Sequence, residues 1–338
     1  MAAALRDRGA EVEFVGGERA EARLVPEGGY RLHRLTVAGI DRRNPVRAAR
    51  ALVQAAGASV RARAILRDTE ADVVIGGGGY VAGPVGLAAW SLRLPLVLCE
   101  ADSHLGMANR ALAPLARRVF LSFPIPGRDG GKYVVTGRPV GAVTGPADRA
   151  HARHRFGIEE AERCVLVFGG SLGAHRLNEA ALDAFGAAAP WVVLHASGHR
   201  DHAELQRRLE QLGSPGHYRL YAYVEPFSDA LAAADLAVAR AGGSVLEVAA
   251  AGLPAVLVPF PHATADHQTR NARYMAAAGA AVVVPDSELD GARLGREVAS
   301  LLANPDRLRA MAEAARGLAR PDAAERIAEE TLALVARI

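Results

Sequence analysis

The chain has 338 residues, half of them apolar and few aromatic, with 40 basic against 37 acidic side chains. That length allows two ordinary domains with a core each, and the composition suits a soluble α/β protein with Ala-rich helices. Cys99 and Cys164 both sit in apolar runs and are too few for a disulfide framework, so they read as reduced thiols of a cytosolic protein. No apolar run reaches the roughly 18–20 residues that span a bilayer, and no signal peptide is expected. The charge is uneven: residues 1–140 hold 20 Arg and Lys against 13 Asp and Glu, leaving 20 against 24 for residues 141–338. A basic first half suits an anionic surface such as a membrane, or is a solvated Arg-rich face. Nucleic-acid binding is disfavoured, because the excess is modest and no basic segment is interleaved with aromatics.

The first half alternates helix-like and strand-like pieces. A helix fragment, MAAALRDRG, stops at Gly9 and a strand EVEFVGG follows. Pro45–Arg67 alternates Val46, Leu52, Val53, Val60 and Ile65 with five arginines, which fits an interfacial helix or an amphipathic helix packed on a sheet. Next come a strand at Asp72–Ile75, a run of four glycines, a helix ending near Leu92 and a strand PLVLCE. A helix after Asn109 and short strands near VFLSF and KYVVTG complete this half. The stretch Gly127–Arg155, rich in Gly, Pro and Arg, reads as a linker.

Residues 163–285 repeat the pattern with six strands, CVLVFGG, WVVLHAS, YRLYAYV, LAVAR, AVLVPF and AAVVVPD, separated by helices. Short continuous apolar runs alternating with helices mark buried parallel strands and doubly wound sheets. The expected organisation is a Rossmann-like domain over 1–140, a second over 141–320, and a C-terminal helix over 321–338 that packs back on the first. The two domains are expected to face each other across a cleft.

The loops carry the chemistry. Gly169–Asn178, GGSLGAHRLN, follows a strand directly; Gly170, Ser171, Leu172 and Gly173 would place backbone N–H groups at a helix N-terminus, a site for a diphosphate or simply a tight turn. No Gly-Lys-Ser/Thr ends the loop, so ATP hydrolysis is not implied. After LAVAR, Gly242, Gly243 and Ser244 open a helix with Glu247 one turn in, and Arg240 precedes them. A carboxylate there accepts both ribose hydroxyls, or is a first-turn residue favoured by the helix dipole. Asp266, His267, Gln268 and Asn271 share about one helical turn and could hydrogen-bond sugar hydroxyls. No metal is implied, since His262 and His267 lack a completing Cys or carboxylate pattern. In the first half, Glu100, Asp102 and His104 cluster at the end of a strand, where open α/β sheets present their ligand crevice.

Together these segments resemble the MurG family over essentially the whole chain. The resemblance rests on GGYVAGPVGLAAWSL, the frame of Glu100, Gly106, Asn109 and Arg110, GGSLGA, the E-x-A-A-A-G-L-P run from Glu247, and the P-H-x-x-x-D-H-Q-x-x-N-A run from Pro261. It implies a GT-B fold and transfer of N-acetylglucosamine from UDP-GlcNAc to undecaprenyl-linked lipid I, giving lipid II with a β(1→4) link by inversion and without a cofactor. It implies a peripheral enzyme at the cytoplasmic face of the inner membrane. By the same resemblance, Gly170–Gly173, Arg240, Gly243 and Ser244 look like donor-site residues, with Ser171 and the following amides on the diphosphate. Glu247 looks like the ribose ligand, and His267 and Gln268 look like contacts to the sugar. Tyr80, Glu100, Asn109 and Asn178 would lie on the acceptor side or at the cleft; within this chain Glu100, with Asp102 or His104 as its partner, is the candidate base.

The sequence also departs from the family. The usual H-E-Q-N is Cys99, Glu100, Ala101, Asp102; the Arg after G-G-S-x-G-A is His175; and the G-N-P-V-R turn is GRPVG at Gly137–Gly141. The family opens with a strand and a G-G-T-G-G-H loop whose His is a proposed base, whereas Met1 falls in the helix expected after that loop. A start codon placed at an internal Met accounts for this most simply. The rival readings are another UDP-sugar transferase of the same fold, a UDP-GlcNAc 2-epimerase, and a truncated chain that only binds the donor.

Overall fold

The computed structural model describes residues 1–37, 45–140, 146–169 and 174–336, with the backbone alone for 45–53 and 146–147. The chain divides into two compact units, one formed by Met1–Pro139 with Asp322–Ile338, the other by Val140–Pro321.

In the first unit, α1 (Ala2–Arg6) ends before Gly9, whose φ of +84° turns the chain into β1 (Glu13–Gly16). There follow α2 (Glu21–Glu27), β2 (Arg31–Arg34), α3 (Pro45–Asp68), β3 (Val74–Gly76), α4 (Gly79–Ser91), β4 (Leu96–Glu100), α5 (Met107–Leu112), β5 (Arg118–Leu121) and β6 (Tyr133–Val135). β1 and β2 form a parallel pair, and β3-β4-β5-β6 form a parallel sheet in chain order. One face of the larger sheet is covered by Ala58, Ala62 and Leu66 of α3, spaced i, i+4, i+8, with Val85 and Ala88 of α4. Of the apolar residues expected to line α3, Val60 points outward, Ile65 is half-buried and the side chains of Val46, Leu52 and Val53 lie outside the described residues.

The second unit begins with α6 (Pro146–Arg155) and continues β7 (Cys164–Phe168), α7 (His175–Phe185), β8 (Val192–Ala196), α8 (His199–Gln211), β9 (Tyr218–Tyr221), α9 (Phe227–Ala233) and β10 (Leu236–Ala239). It ends with α10 (Val245–Ala250), β11 (Ala255–Leu257), α11 (His267–Ala277), β12 (Ala281–Val283), α12 (Gly291–Leu302) and α13 (Pro305–Leu318). All six strands run parallel in the order β12-β11-β10-β7-β8-β9. Every residue of β7 and β10 is buried, as continuous apolar runs in a two-faced parallel sheet require. Leu177, Ala181 and Phe185 of α7 interlock with Leu294, Val298 and Leu301 of α12 in one core.

The Gly127–Arg155 stretch is not a plain linker: β6 and α6 occupy parts of it, and the units divide at Pro139. α6 is polar because arginines hold it in place. Arg149 donates to the carbonyls of Ala232 and Ala234, and the buried Arg153 donates to that of Ala233.

The last helix, α14 (Ala323–Val335), rejoins the first unit. Its Ile327 packs on Val97 and Phe120, the sheet face opposite α3, and its Ala328 packs on Ala4 and Leu5. Arg8 pairs with Glu329 at 2.7 Å and Arg118 with Glu330 at 3.4 Å.

Candidate functional site

In the second unit, β7 is the first strand of its sheet, and the chain runs outward from it in both directions. The sheet therefore reverses between β7 and β10, the position where open α/β sheets hold ligands at the strand carboxyl ends. Phe168 and Ala239 are partners in register, and Arg240 N donates to Phe168 O at 3.4 Å, so the carboxyl ends of β7 and β10 lie side by side. Gly170, Ser171, Leu172 and Gly173 lie outside the described residues. His175 heads α7, with Asp201 at 3.6 Å and Glu179 at 3.5 Å.

After β10, Gly242 and Gly243 lead to Ser244 as the N-terminal cap of α10. Gly243, Ser244 and Glu247 are half-buried, whereas Val245, Leu246, Val248 and Ala249 are buried. Apolar burial on both sides of Glu247 fixes the helix, and Glu247 itself keeps part of its surface. Arg240 behaves otherwise. It is 6% exposed, donates to Asp286 Oδ1 at 2.5 Å and to the carbonyls of Val258 and Pro259, and lies over the Phe260 ring at 5.5 Å. Its guanidinium braces the ends of β10 and β11, which corrects its expected role as a donor ligand.

Asp286, which the sequence reading passed over, is the anchor: it also pairs with Arg176 at 3.3 Å. An acid just beyond the strand AVVVP was the one signal available.

At the start of α11, Gln268 Oε1 accepts from Phe260 N at 2.9 Å and His267 Nδ1 donates to Thr264 O at 2.8 Å. Ala265 and Asp266, just before them, have φ of +52° and +53°. Two successive non-glycine residues in the left-handed region cost energy, a feature that concentrates where a loop must present itself to a ligand. Asn271, expected to face sugar hydroxyls, is wholly buried and donates to Ala241 O at 3.0 Å, tying α11 to the loop after β10.

Asn178 likewise does not belong to an acceptor surface. It is fully buried in the second unit, donating to Ser197 O and Asp201 Oδ2 at 2.9 Å. Because both its N–H bonds are used this way, its Oδ1 accepts from His195 Nε2 at 3.0 Å, and His195 Nδ1 accepts from the Tyr218 hydroxyl at 2.7 Å. Burial drives His195 down to about 3, so the ring is neutral.

In the first unit, the loop after β4 is built around Glu100, which is 6% exposed. Its Oε1 accepts from Asp102 N at 3.1 Å, and its Oε2 accepts from Gly106 N at 2.7 Å and Asn109 Nδ2 at 2.9 Å. Asn109, 1% exposed, also donates to Cys99 O at 3.0 Å. A carboxylate that satisfies three inward donors is a structural post, so Glu100 is not placed as a base and Asn109 is not placed as an acceptor contact. Asp102 and His104 are half-buried on the same loop and keep accessible surface. Gly78 and Gly79, at φ +84° and +78°, carry the chain from β3 into α4, whose Tyr80 meets Glu21 Oε1 at 3.5 Å under the Arg19 guanidinium. Burial pushes the thiols of Cys99 and Cys164 up to about 12, so neither is a nucleophile.

Two α/β units, each built on a sheet of parallel strands and the second sheet reversing between β7 and β10, define the GT-B architecture. The glycosyltransferase family 28 N-terminal domain matches residues 1–121 and its C-terminal domain residues 164–327. The chain is 43% identical over 97% of its length to the UDP-N-acetylglucosamine–N-acetylmuramyl-(pentapeptide) pyrophosphoryl-undecaprenol N-acetylglucosamine transferase of Salinibacter ruber, covering 90% of it. It is 41% identical to the enzyme of that name from Rubrobacter xylanophilus, with 98% of both chains covered. The crystal structure of Acinetobacter baumannii MurG superposes with a TM-score of 0.77 at 28% identity, covering 98% of this chain and 93% of that one. The chain belongs to this MurG family of N-acetylglucosamine transferases. A UDP-GlcNAc 2-epimerase from Neisseria meningitidis, at 13% identity and a TM-score of 0.67 over 98% of this chain and 94% of that one, shares the fold alone.

Proposed function

We propose that the protein transfers N-acetylglucosamine from UDP-GlcNAc to N-acetylmuramyl-(pentapeptide) pyrophosphoryl-undecaprenol, forming the β(1→4) link by a single inverting displacement. The observation that carries this reading is the pair of adjacent carboxyl ends of β7 and β10 at the switch point of the second sheet. In this reading the donor lies along those ends. Glu247 takes the ribose hydroxyls, while His267 and Gln268, which open α11 after the strained turn, meet the sugar. The leaving diphosphate is stabilised by backbone dipoles, and no metal is needed. Asp102 and His104 replace Glu100 as the candidates to take the acceptor proton.

A lipid-linked acceptor requires contact with a bilayer surface. No helix among the described residues is long and apolar enough to cross a membrane. The first unit does expose Val60 (71%), Leu87 (47%) and Trp90 (56%). Arg63 donates to Ser91 Oγ, and Val60 and Leu87 lie one turn away on their helices, so the three apolar side chains share a face with Arg63. Exposed apolar side chains beside an arginine suit shallow insertion among anionic lipids at the cytoplasmic face.

The test is to incubate the chain with UDP-GlcNAc, UDP-glucose or neither, with or without a lipid I analogue and with or without a chelator. Disaccharide formation from UDP-GlcNAc alone, unaffected by chelator, is the expected result. Conversion of UDP-GlcNAc without acceptor would overturn the reading in favour of an epimerase.

A further inference from the structure

The second unit carries a recess that the donor site does not use. It measures about 510 Å³ and lies among α6, α9, α10, α13 and the residues that open three strands. Arg163 precedes β7, Asp235 precedes β10 and Pro254 precedes β11, so the recess is at the amino ends of the strands. The glycine loops are at the opposite, carboxyl ends.

Its walls hold Arg149, Arg163, Arg309 and Arg316, and Asp235 is the single carboxylate among the lining residues. That carboxylate is already saturated. Oδ1 accepts from Arg149 at 2.9 Å and Arg163 at 3.4 Å; Oδ2 accepts from Cys164 N at 2.8 Å and faces the buried Arg153 at 3.5 Å. Donors still outnumber acceptors, since Arg153 Nε is buried without a hydrogen-bond partner. Arg309 pairs with Asp306, whereas the Arg316 guanidinium makes no hydrogen bond or ion pair among the described residues. Four guanidinium charges thus line a concave space against two carboxylates, Asp235 in its wall and Asp306 beside Arg309.

The turn after α10 is shaped to admit Arg316. Gly252 has a φ of +62°, and a Cβ there would fall 2.8 Å from Arg316 Cγ and 2.9 Å from its Nη1. The glycine in the A-A-A-G-L-P run therefore serves two purposes, the left-handed turn and the passage of Arg316 across it. Leu253, Pro254 and Leu308 supply an apolar wall beside the charges.

We infer that this recess is a second anion site, which takes a soluble phosphate-bearing anion with two or more negative charges, such as a diphosphate or nucleoside polyphosphate. Several forked guanidiniums on one concave surface match phosphoryl oxygens in geometry as well as charge. The size of the recess suits a small molecule, and a recessed floor suits a soluble ligand better than a flat membrane.

The probe is inorganic pyrophosphate, titrated by calorimetry into the full chain already saturated with UDP. The expected result is one binding event that persists under UDP and weakens as salt rises. Arg163→Ala with Arg316→Ala lowers its affinity tenfold or more while the thermal midpoint holds. Both residues are exposed, and the single charge reversal Arg316→Glu is a second variant that leaves every partner of Asp235 in place. Pyrophosphate binding that UDP abolishes, or that neither variant weakens, would overturn the inference. So would arginine-dependent capture of the chain by phosphatidylglycerol vesicles with no pyrophosphate binding. Should UDP itself not bind, the donor reading fails, and the variants still read the recess by pyrophosphate alone.

Discussion

Two carboxylates near the ends of strands, Glu100 in the first unit and Glu247 in the second, look alike in sequence and do opposite things. Glu100 is turned inward and holds its loop through three hydrogen bonds. Glu247 sits half-exposed on a helix whose neighbouring side chains are buried. An acid that accepts from the backbone N–H groups and side-chain amide of its own loop is committed to holding that loop, whereas an acid on a half-exposed helix position keeps surface.

The comparison breaks most sharply at Glu100. Replacing it with Ala strands three inward donors, and we expect a loss of about 3 kcal/mol or more in stability, read by urea unfolding. Glu100→Gln keeps two acceptor positions at most and should lie between. If Glu100→Ala leaves stability unchanged and only the rate falls, Glu100 belongs to the chemistry after all.

The second unit offers an independent test through His195. Its folded value is about 3 whereas the unfolded imidazole titrates near 6.5, so only the unfolded chain takes up a proton between those limits. Stability is then lost as pH falls below about 6.5, by about 2 kcal/mol on reaching pH 5. Trp191, which packs on Phe185, reports this unit by fluorescence once Trp90 is replaced by Phe. His195→Gln should flatten the acid limb; an unchanged slope would mean that other groups govern it.

The smallest effect is expected at Glu247. Glu247→Ala should raise the Kd for UDP-GlcNAc about tenfold, equivalent to about 1.4 kcal/mol, with the thermal midpoint nearly unmoved. Affinity that stays the same would remove the ribose assignment.

The sequence announced the second unit well, because its six strands are uninterrupted apolar runs at regular intervals, and each forms a strand of the sheet. It concealed α2 and β2, since Glu21–Glu27 buries no residue and the strand RLHR has no apolar run. α6 was hidden for a related reason: arginines reaching carbonyls hold it, and periodicity does not record such contacts. Site residues were legible as positions but not as directions. Arg240, Asn178, Asn271, Glu100 and Asn109 are all polar residues near strand ends, and only tertiary structure reveals that each faces inward. Sequence spacing places a side chain on an element; its partners come from elements far away in the chain.

The return of α14 to the first unit bears on synthesis. A chain emerging from the ribosome exposes the Val97 and Phe120 face of the first sheet long before Ile327 exists to cover it. The second unit, continuous from Val140 to Pro321, has all its residues in hand earlier. The later-encoded unit can therefore finish folding first, while the earlier one waits with an apolar face open to chaperones until the final turns of helix are released.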